Sequence, residues 1–288
     1  MRLKSFTFKM VAGLNEFTPF LHKVNTMKIL VLLKQTPDTE AKVSPTSDSR
    51  GLEVNGTSII NPYDEFAVEE ALKIKEKSGA GEVVILSFGP IDIKERMIKA
   101  LAMGADRGLY IENAGIEDAD SLTIAKLLSK AIKEENADLV LCGKQGIDAD
   151  NMHVGIMVAE LLGWPHVNVV NKFEVEGKSA RVEREVEGGQ IEVYKVDFPA
   201  VIGANKSLNT PRFASLPGIM KAKKKPLDTK KPTDFGFTIS AINAELTTKA
   251  VHFAKPPQKP AGKVFKGEPV EVMISKVVKL LREEAKVI

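Results

Sequence analysis

Short apolar runs alternate with amphipathic segments along residues 28–163 of this 288-residue chain, and no other feature constrains the fold as strongly. A continuous apolar run predicts a strand covered on both faces. Such runs lie at 29–33, 83–86, 109–111 and 139–142. Segments with helical periodicity lie at 61–78, 91–103, 120–135 and 150–163. This alternation predicts an α/β fold with a doubly wound, mainly parallel sheet that has helices on both faces.

The carboxyl ends of the predicted strands indicate where a ligand would bind. Because the strands of a parallel sheet run in the same direction, these ends lie at one edge of the sheet, and right-handed crossovers place the helices on its faces. Doubly wound sheets bind ligands beyond that edge, at the point where the strand order reverses. We therefore expect a binding site formed by the loops after Leu33, Leu86 and Cys142.

The strand–helix pattern changes after residue 167. Residues 180–186 and 190–196 alternate in polarity around Glu187-Gly188-Gly189, which predicts a β-hairpin added to the sheet. Residues 199–203 predict one more apolar strand. The fold prediction therefore includes an antiparallel addition to the parallel sheet.

The last third of the chain predicts a surface excursion followed by a helix. Residues 204–266 are rich in Lys, Pro, Asn and Thr with little periodicity, as in a long functional loop or a linker. The final helix carries an apolar stripe, which needs the chain's own domain or another chain as its partner. The stripe consists of Val270, Ile274, Val277, Leu281 and Ile288. We predict an α/β domain at 27–220 and a C-terminal helical arm at 221–288.

Residues 1–26 differ in character from the rest, with four basic side chains against Glu16. A mitochondrial transit peptide is one interpretation, but the acidic residue and the few Ser and Arg residues count against it. The preferred interpretation is an upstream extension, with Met27 as the natural beginning. The expected location is the cytoplasm of a bacterium, or the mitochondrial matrix if 1–26 is a transit peptide.

Composition excludes several classes of protein. Hydrophobic residues make up 43% and charged residues 27%, which is typical of a folded domain, and no apolar run approaches the ~20 residues that span a bilayer. The single cysteine, Cys142, excludes an internal disulfide, and its place at the end of a buried strand favours packing over nucleophilic chemistry. A net charge of +3 and 6% aromatic residues do not fit a nucleic-acid binder.

Enzyme signatures are also missing from the sequence. No G-x-G-x-x-G follows the first strand and no serine lies in G-x-S-x-G. The four histidines lack metal-ligand spacing, so no metal site is predicted. Gly177-Lys178-Ser179 resembles the end of a phosphate-binding loop, but Lys172 occupies the position of the first glycine.

The strongest local signal is the stretch 143–151, GKQGIDADN, between a predicted strand and a predicted helix. Gly143 and Gly146 would let backbone amides approach a ligand, and a helix N-terminus offers free N–H groups to a phosphate. The alternative is an ordinary turn in which Asp148 and Asp150 cap the helix. These carboxylates would repel a phosphate unless they point away from it.

Two weaker signals belong to the same predicted edge. Asn61-Pro62-Tyr63-Asp64 opens a helix, and its alternative interpretation is a well-capped helix start. Residues 87–90, SFGP, end a strand where backbone groups could contact a purine, or form a plain turn. Three such loops at one edge support a nucleotide site more strongly than any one of them.

Several stretches together resemble the β subunits of the electron transfer flavoprotein family. They are MKILVLLKQTPD at 27–38, NPYDEFAVEEALKIKE at 61–76, SFGP at 87–90, ALAMGADRG at 100–108, LCGKQGID at 141–148, EREVEGG at 183–189 and LNTPRFASLPGIMKAKKK at 208–225. The resemblance covers about residues 27–288. It implies a Rossmann-like, adenine-nucleotide-binding fold and a non-enzymatic electron carrier.

The resemblance implies a heterodimer with an α subunit that holds the redox-active FAD. The β subunit of this family buries a structural AMP. Electrons pass from acyl-CoA or related dehydrogenases through the FAD to a membrane quinone oxidoreductase. On this chain the AMP pocket would comprise Leu32, Asn61, Pro62, Tyr63, Asp64, Phe88, Gly143, Lys144, Gln145, Gly146, Ile147, Asp148, Ala149, Asp150, Asn151, Met152, His153 and Val154.

The resemblance also implies residues that contact partners. Residues 204–225 would form a recognition loop for dehydrogenases, with Leu216 as its exposed apolar anchor. Arg212, Lys221 and Lys223 would form a charged rim, although a solvated surface is the alternative for the lysines. Glu185 would restrain the mobile flavin domain, and the C-terminal arm would pack on the α subunit.

Two departures from the family pattern leave the bound nucleotide open. Thr39 stands where a tyrosine is common near the flavin, and Tyr194 stands where an aliphatic residue is usual. A bifurcating subgroup binds a second FAD in place of AMP and shares the KQ-x-PDT pattern of residues 34–39. The stretches EREVEGG and MGADRG favour AMP. A free-standing adenylate-forming enzyme is a third and weaker alternative.

Overall fold

A computed structural model describes residues 26–259 and 261–288, so the predicted extension 1–26 lies outside the described residues apart from Thr26. The strands are β1 (Lys28–Leu32), β2 (Gln35–Pro37), β3 (Lys42–Pro45), β4 (Leu52–Asn55), β5 (Ser58–Ile60), β6 (Glu82–Gly89), β7 (Arg107–Glu112), β8 (Leu139–Gly143), β9 (His166–Glu176), β10 (Ser179–Glu185), β11 (Ile191–Asp197), β12 (Ala200–Ala204) and β13 (Leu227–Lys230). The helices are α1 (Pro62–Ser78), α2 (Ile93–Met103), α3 (Ser121–Glu135), α4 (His153–Leu162), α5 (Leu216–Ala222), α6 (Ile239–Ala244) and α7 (Val270–Glu283).

Nine strands form one sheet in the order β11-β10-β9-β12-β8-β1-β6-β7-β13. β1 pairs in parallel with β6 on one side and with β8 on the other. The chain runs outward from β1 through β6 and β7, and then returns to β8 on the opposite side of β1. The strand order therefore reverses between β1 and β8, which confirms the predicted doubly wound, mainly parallel sheet.

Alternate residues of each strand point to opposite faces of the sheet. Because both sets are apolar, helices cover both faces. On one face, Ile29 and Val31 of β1 share a core with Ala67 of α1 and Met97 of α2. On the other face, Leu30 of β1 belongs to a second core with residues of α3 and α4. Burying one such aliphatic side chain contributes about 1.5–3 kcal/mol, so these two cores fix the strand ends that carry the site.

The predicted hairpin is confirmed as an antiparallel extension of the sheet. β10 pairs with both β9 and β11, and a 3₁₀ turn at Glu187–Gly189 joins β10 to β11. Gly188 and Gly189 both adopt φ of 74°, a left-handed conformation that suits glycine. The long strand β9 was not predicted, because its sequence HVNVVNKFEVE mixes polar and apolar residues without strict alternation.

The prediction of a long surface excursion at 204–266 is wrong in part. This stretch contains α5, β13 and α6, and β13 pairs in parallel with β7 at the sheet edge. The sequence of β13, LDTK, has only one apolar residue, so its strand state depends on pairing with β7. The larger compact unit extends to Val251, and the division of the chain into domains at 220 stays a prediction.

The smaller compact unit comprises Ser44–Glu53 and His252–Ile288. Within it, the backbone N–H of Phe253 donates to the carbonyl of Ser49 at 2.8 Å. The predicted C-terminal helix is confirmed as α7, which ends at Glu283, so Ile288 lies beyond the helix. None of its residues is buried, and Val270 and Ile274 are more than half exposed. Within the smaller unit, the apolar stripe thus stays largely exposed.

Candidate functional site

A cleft lies at the carboxyl ends of β1, β6 and β8, where the strand order reverses. The residues lining it are Leu32, Leu33, Lys34, Asn61, Asp64, Leu86, Phe88, Ser121, Ile124, Leu128, Cys142, Gly143, Lys144, Gln145, Gly146, Asn151, Met152, His153, Val154 and Gly155. The predicted loops after Leu33, Leu86 and Cys142 all contribute to it. The cleft therefore lies at the sheet edge where the sequence predicts a binding site.

Asp64 joins the three elements that meet at this cleft. Its carboxylate accepts hydrogen bonds from the backbone N–H of Lys34 after β1 at 2.7 Å and from that of Gly143 in β8 at 2.9 Å. The side-chain amide of Asn61 donates a third at 2.9 Å. Burial raises the pKa of Asp64 to about 7, although all three donors favour the ionised form.

Asn61 does not cap α1 with its side chain, contrary to the capped-start interpretation. Its amide N–H₂ also donates to the carbonyl of Gln145 at 2.9 Å, and its carbonyl oxygen accepts from the N–H of Ile147 at 3.2 Å. The helix start is set by Pro62 in its first turn. Asn61 therefore fixes the 143–151 loop against α1.

Gly143 and Gly146 allow close approaches that no side chain could accommodate. A Cβ at Gly143 would lie 2.4 Å from Oδ1 of Asp64 and 2.6 Å from Cβ of Tyr63. A Cβ at Gly146 would lie 2.6 Å from Oδ1 of Asp148 and 3.1 Å from Nζ of Lys34. The two glycines thus hold the loop against α1 and keep its backbone open to the cleft.

The acidic residues of the loop do not line the cleft. Asp148 forms an ion pair with Lys34, with 2.6 Å between Oδ2 and Nζ. Asp150 accepts a hydrogen bond from the side-chain amide of Gln145 at 2.6 Å. Neither caps a helix, because α4 begins only at His153, later than predicted. Pairing of Asp148 with Lys34 lowers the repulsion that a bound phosphate would meet.

The first turn of α4 faces the cleft with free backbone donors. His153, Val154 and Gly155 all line it, and the N–H groups of Val154 and Gly155 have no acceptor among the described residues. Met152 precedes the helix with φ of 54°, in the left-handed region, and the side chain of Asn151 accepts from the N–H of His153 at 3.3 Å. These donors would suit an anion.

The opposite part of the cleft is apolar. Leu32, Leu86, Phe88, Ile124 and Leu128 form its wall, which suits a purine ring better than a charged group. At the bottom, burial raises the pKa of the Cys142 thiol to about 12. The thiol would thus stay protonated at neutral pH, in agreement with the packing role predicted for it.

The structure brings most of the predicted pocket residues together at the cleft. Those that line it are Leu32, Asn61, Asp64, Phe88, Gly143, Lys144, Gln145, Gly146, Asn151, Met152, His153 and Val154. Those that do not line it are Pro62, Tyr63, Ile147, Asp148, Ala149 and Asp150. Tyr63 instead contacts the ammonium of Lys144, which lies 5.0 Å from the ring centroid.

Lys34, Ser121, Ile124 and Leu128 line the cleft but were not predicted as site residues. Lys34 follows the predicted first strand directly, so the sheet-edge argument could have identified it. Ile124 and Leu128 lie in α3, where the helical periodicity predicted at 120–135 does not by itself indicate contact with a ligand. The cap of this helix is Asp120, which accepts from the N–H of Thr123 at 2.8 Å.

A second candidate site lies on α5 and the loop before it. Phe213, Leu216 and Met220 are 98%, 74% and 69% exposed, respectively. Lys221, Lys223 and Lys224 are exposed beside them. We call these six residues the docking surface. Three exposed apolar side chains within eight residues, next to a cationic cluster, are typical of a protein interface.

Two residues predicted to contact partners have their own contacts within the chain. Arg212 is bound by Glu69 and Glu76 of α1, which leaves its guanidinium unavailable as a free docking charge. Glu185 lies exposed at the end of β10 and accepts from the side-chain amide of Asn171 at 3.0 Å. Its oxygens remain accessible at the rim of the hairpin.

The part of the chain that the structure describes has no metal-binding group of three or more acidic, histidine or cysteine side chains. Within the same residues, no helix combines the length and hydropathy that crossing a bilayer requires.

Comparison with known proteins assigns the chain to a family. Residues 52–235 match the model of the electron transfer flavoprotein domain. The chain is 44% identical over 216 residues to the electron transfer flavoprotein subunit beta of Bradyrhizobium diazoefficiens, covering 75% of this chain and 86% of the relative. It is 39% identical to the subunits of the same name from Bacillus subtilis, with 91% and 100% covered, and from Homo sapiens, with 89% and 98% covered. The chain therefore belongs to the electron transfer flavoprotein family and is similar throughout to its β subunits.

Proposed function

We propose that this chain is the β subunit of a heterodimeric electron carrier and that its cleft holds AMP. The observation that carries the proposal is the arrangement of the cleft, which has an apolar wall on one side and a helix N-terminus with a lysine on the other. The relatives are named as beta subunits, which supports an α subunit as the partner.

The residues of the cleft fit an adenine nucleotide. A purine would lie against Leu32, Phe88 and Leu128. A phosphate would bind the free N–H groups of Val154 and Gly155 in the first turn of α4. A Cβ at Gly146 would fill the space beside Lys34 and Asp148. Glycine at this position therefore leaves the loop backbone accessible to the same phosphate. Lys34 adds a positive charge that is half exposed and already paired with Asp148.

The flavin of this family supplies the redox chemistry when it is bound. We propose that most of the contacts with this flavin come from the α subunit. The role of this chain is then to position and cover that subunit. Glu185 lies exposed at the hairpin rim, as a residue restraining a neighbouring domain would. The exposed stripe of α7 offers an apolar face that an α subunit would bury.

We propose that the docking surface binds acyl-CoA or related dehydrogenases, and that the electrons go on to a quinone oxidoreductase. Leu216 is the apolar anchor, and burying it in a partner pocket would supply affinity. Lys221 and Lys223 would speed the encounter with an acidic partner surface. Arg212 would then act on the recognition loop through its ion pairs with α1, and not by contacting the dehydrogenase.

A second FAD in the cleft, as in bifurcating relatives, remains the alternative. Lys34 is compatible with it, because an ammonium at the cleft would serve a diphosphate as well as a monophosphate. An adenylate-forming enzyme has less support, since the sequence contains no complete phosphate-binding loop motif.

The nucleotide content of the purified heterodimer tests these proposals. The chain is co-expressed with its α subunit, the complex is denatured, and the released nucleotides are separated and quantified. One FAD and one AMP for each heterodimer are expected. Two FAD without AMP would establish the bifurcating alternative. A chain that purifies alone and turns over ATP would contradict the electron-carrier proposal altogether.

A further inference from the structure

We propose that Arg212 is a positioning residue: through Glu69 and Glu76 of α1 it holds the docking surface in the geometry that a partner dehydrogenase binds. This inference rests on the proposed function, because it concerns how the docking surface works. It differs from the role that the sequence suggested for Arg212, a free positive charge directed at the partner.

The contacts of Arg212 engage its whole guanidinium. Nε and Nη2 donate to the two carboxylate oxygens of Glu69 at 2.8 and 2.9 Å, which is a bidentate pair. Nη1 and Nη2 donate to Glu76 at 2.5 and 3.0 Å. The backbone N–H of Arg212 also donates to Glu69 at 3.1 Å. Fork-like geometry of this kind fixes orientation as well as distance.

Burial makes this cluster specific for arginine. Glu69 is only 6% exposed, so leaving its carboxylate without a hydrogen-bonded partner would be costly. An ammonium in place of the guanidinium could not satisfy both oxygens of Glu69 and reach Glu76 as well. The pair is therefore unlike a loose surface ion pair, which contributes little to rigidity.

Further contacts on both sides of the docking surface support the same conclusion. Before it, the side-chain amide of Asn209 donates to the carbonyl of Phe66 at 3.0 Å and to Glu70 at 2.9 Å. Glu70 is also buried in α1. The backbone is thus attached to one helix at two points immediately before Phe213.

After the docking surface, the chain is attached to α2. Nζ of Lys225 donates to the carbonyls of Leu101 and Ala105 at 2.8 and 2.5 Å, at the C-terminal end of that helix. Within α5, a Cβ at Gly218 would lie 2.6 Å from the carbonyl of Ala102, so the two helices are in close contact. The apolar side chains are therefore exposed on a backbone that is fixed at both ends.

A fixed backbone matters because an ordered surface loses less conformational entropy on binding than a mobile one. Releasing Arg212 would leave Leu216 present but no longer held in position. The expected signature is weaker association with the partner, while electron transfer within the formed complex changes little.

The test compares Arg212→Lys and Arg212→Gln in the heterodimer with a control, Arg181→Gln. Arg181 forms ion pairs with Glu174 of β9 and Glu183 of β10, toward the edge of the sheet opposite to β13, the strand that follows α5. The readouts are the KM of an acyl-CoA dehydrogenase for the carrier, kcat at saturation, and flavin reduction by dithionite, which needs no docking. We expect the KM to rise about tenfold for Arg212→Gln and less for Arg212→Lys, with kcat and the dithionite rate within about twofold.

A double variant, Glu69→Gln with Arg212→Gln, guards against loss of folding, since it leaves no unpaired buried carboxylate. Amide hydrogen exchange of residues 213–220 adds a measurement that needs no dehydrogenase, and it should be faster in both Arg212→Gln backgrounds than in Arg181→Gln. Unchanged exchange and an unchanged KM would overturn the inference. An equal rise in KM for Arg181→Gln would also overturn it, by showing a general effect of stability. If exchange is faster but no dehydrogenase reduces even the unmodified carrier, the proposed function fails. The conclusion that Arg212 fixes the backbone of residues 213–220 would still hold.

Discussion

Gly143 is the residue at which the cleft tolerates the least change. An added methyl group would meet both Asp64 and Tyr63 at less than 3 Å, and one of the atoms in its way belongs to the backbone of α1. Overpacking of this kind costs about 1–3 kcal/mol. We expect Gly143→Ala to lower the unfolding free energy by that amount and to reduce the nucleotide retained on purification, as measured by urea unfolding and by nucleotide release.

Gly262→Ala is the matched control for that change, because nothing lies within 4 Å of a Cβ at Gly262. It should leave both measurements unchanged. Equal behaviour of the two variants would mean that the contacts of Gly143 do not determine the cleft.

Asp64 gives the site a predictable dependence on pH. Its pKa rises from 3.8 to about 7 on folding, so the folded state favours the protonated acid relative to the unfolded chain. The contribution of this group to the unfolding free energy should therefore fall as pH rises between those two values and stay level above them. Urea unfolding at several pH values should show this slope in the unmodified chain and lose it in Asp64→Asn. A slope of opposite sign would mean that the three hydrogen bonds outweigh burial.

At the scale of elements, α7 carries an apolar face that stays exposed within the smaller compact unit. We expect Ile274→Glu in α7 to leave the thermal stability of the larger compact unit unchanged and to weaken co-purification with the α subunit, because Ile274 is 56% exposed. Ser275→Glu is the control, since it adds the same charge to α7 at a position outside the apolar stripe. Retention of the α subunit by Ile274→Glu to the same extent would remove α7 from the interface.

Elements with their own apolar signal were predicted well, whereas those fixed by neighbours were not. β1, β6 and β8 are continuous apolar runs, and α1 and α3 have clear end signals, such as Gly79 with φ of 71°. β13 has no such signal, because its pairing with β7 determines its state. The start of α4 was predicted at Asp150 or Asn151, but these side chains bind Gln145 and the N–H of His153 within the loop.

The site was predictable to the extent that sheet topology determines it. The carboxyl ends of the strands pointed to the 143–151 loop and to Asn61 and Asp64. The orientation of each side chain was not predictable, because it depends on contacts between residues far apart in sequence. The pairing of Lys34 with Asp148 and the binding of Arg212 by α1 are of this kind.

At the scale of the whole molecule, the cleft and the docking surface are formed by different elements and should be separable by mutation. We expect Leu216→Ala to slow reduction of the heterodimer by a dehydrogenase about tenfold while the nucleotide content stays the same. Stopped-flow flavin reduction and nucleotide release measure the two effects. If transfer rates do not change, Leu216 is not the anchor.

Gly146→Val should produce the opposite result, because its side chain would occupy the space next to Lys34 and Asp148. We expect lost nucleotide at the cleft, with dehydrogenase reduction of the remaining intact heterodimer near its normal rate. Loss of both properties in both variants would show that the two sites are coupled rather than independent.

The single helix α1 contributes to both the cleft and the support of the docking surface. Its first turn supplies Asp64 to the cleft, and one to four turns later Glu69, Glu70 and Glu76 hold the segment that carries the docking surface. A change in the tilt or length of this single helix would alter both regions at once. If the docking surface binds dehydrogenases as we propose, lineages that change these partners should vary the tip of the loop and leave the helix alone.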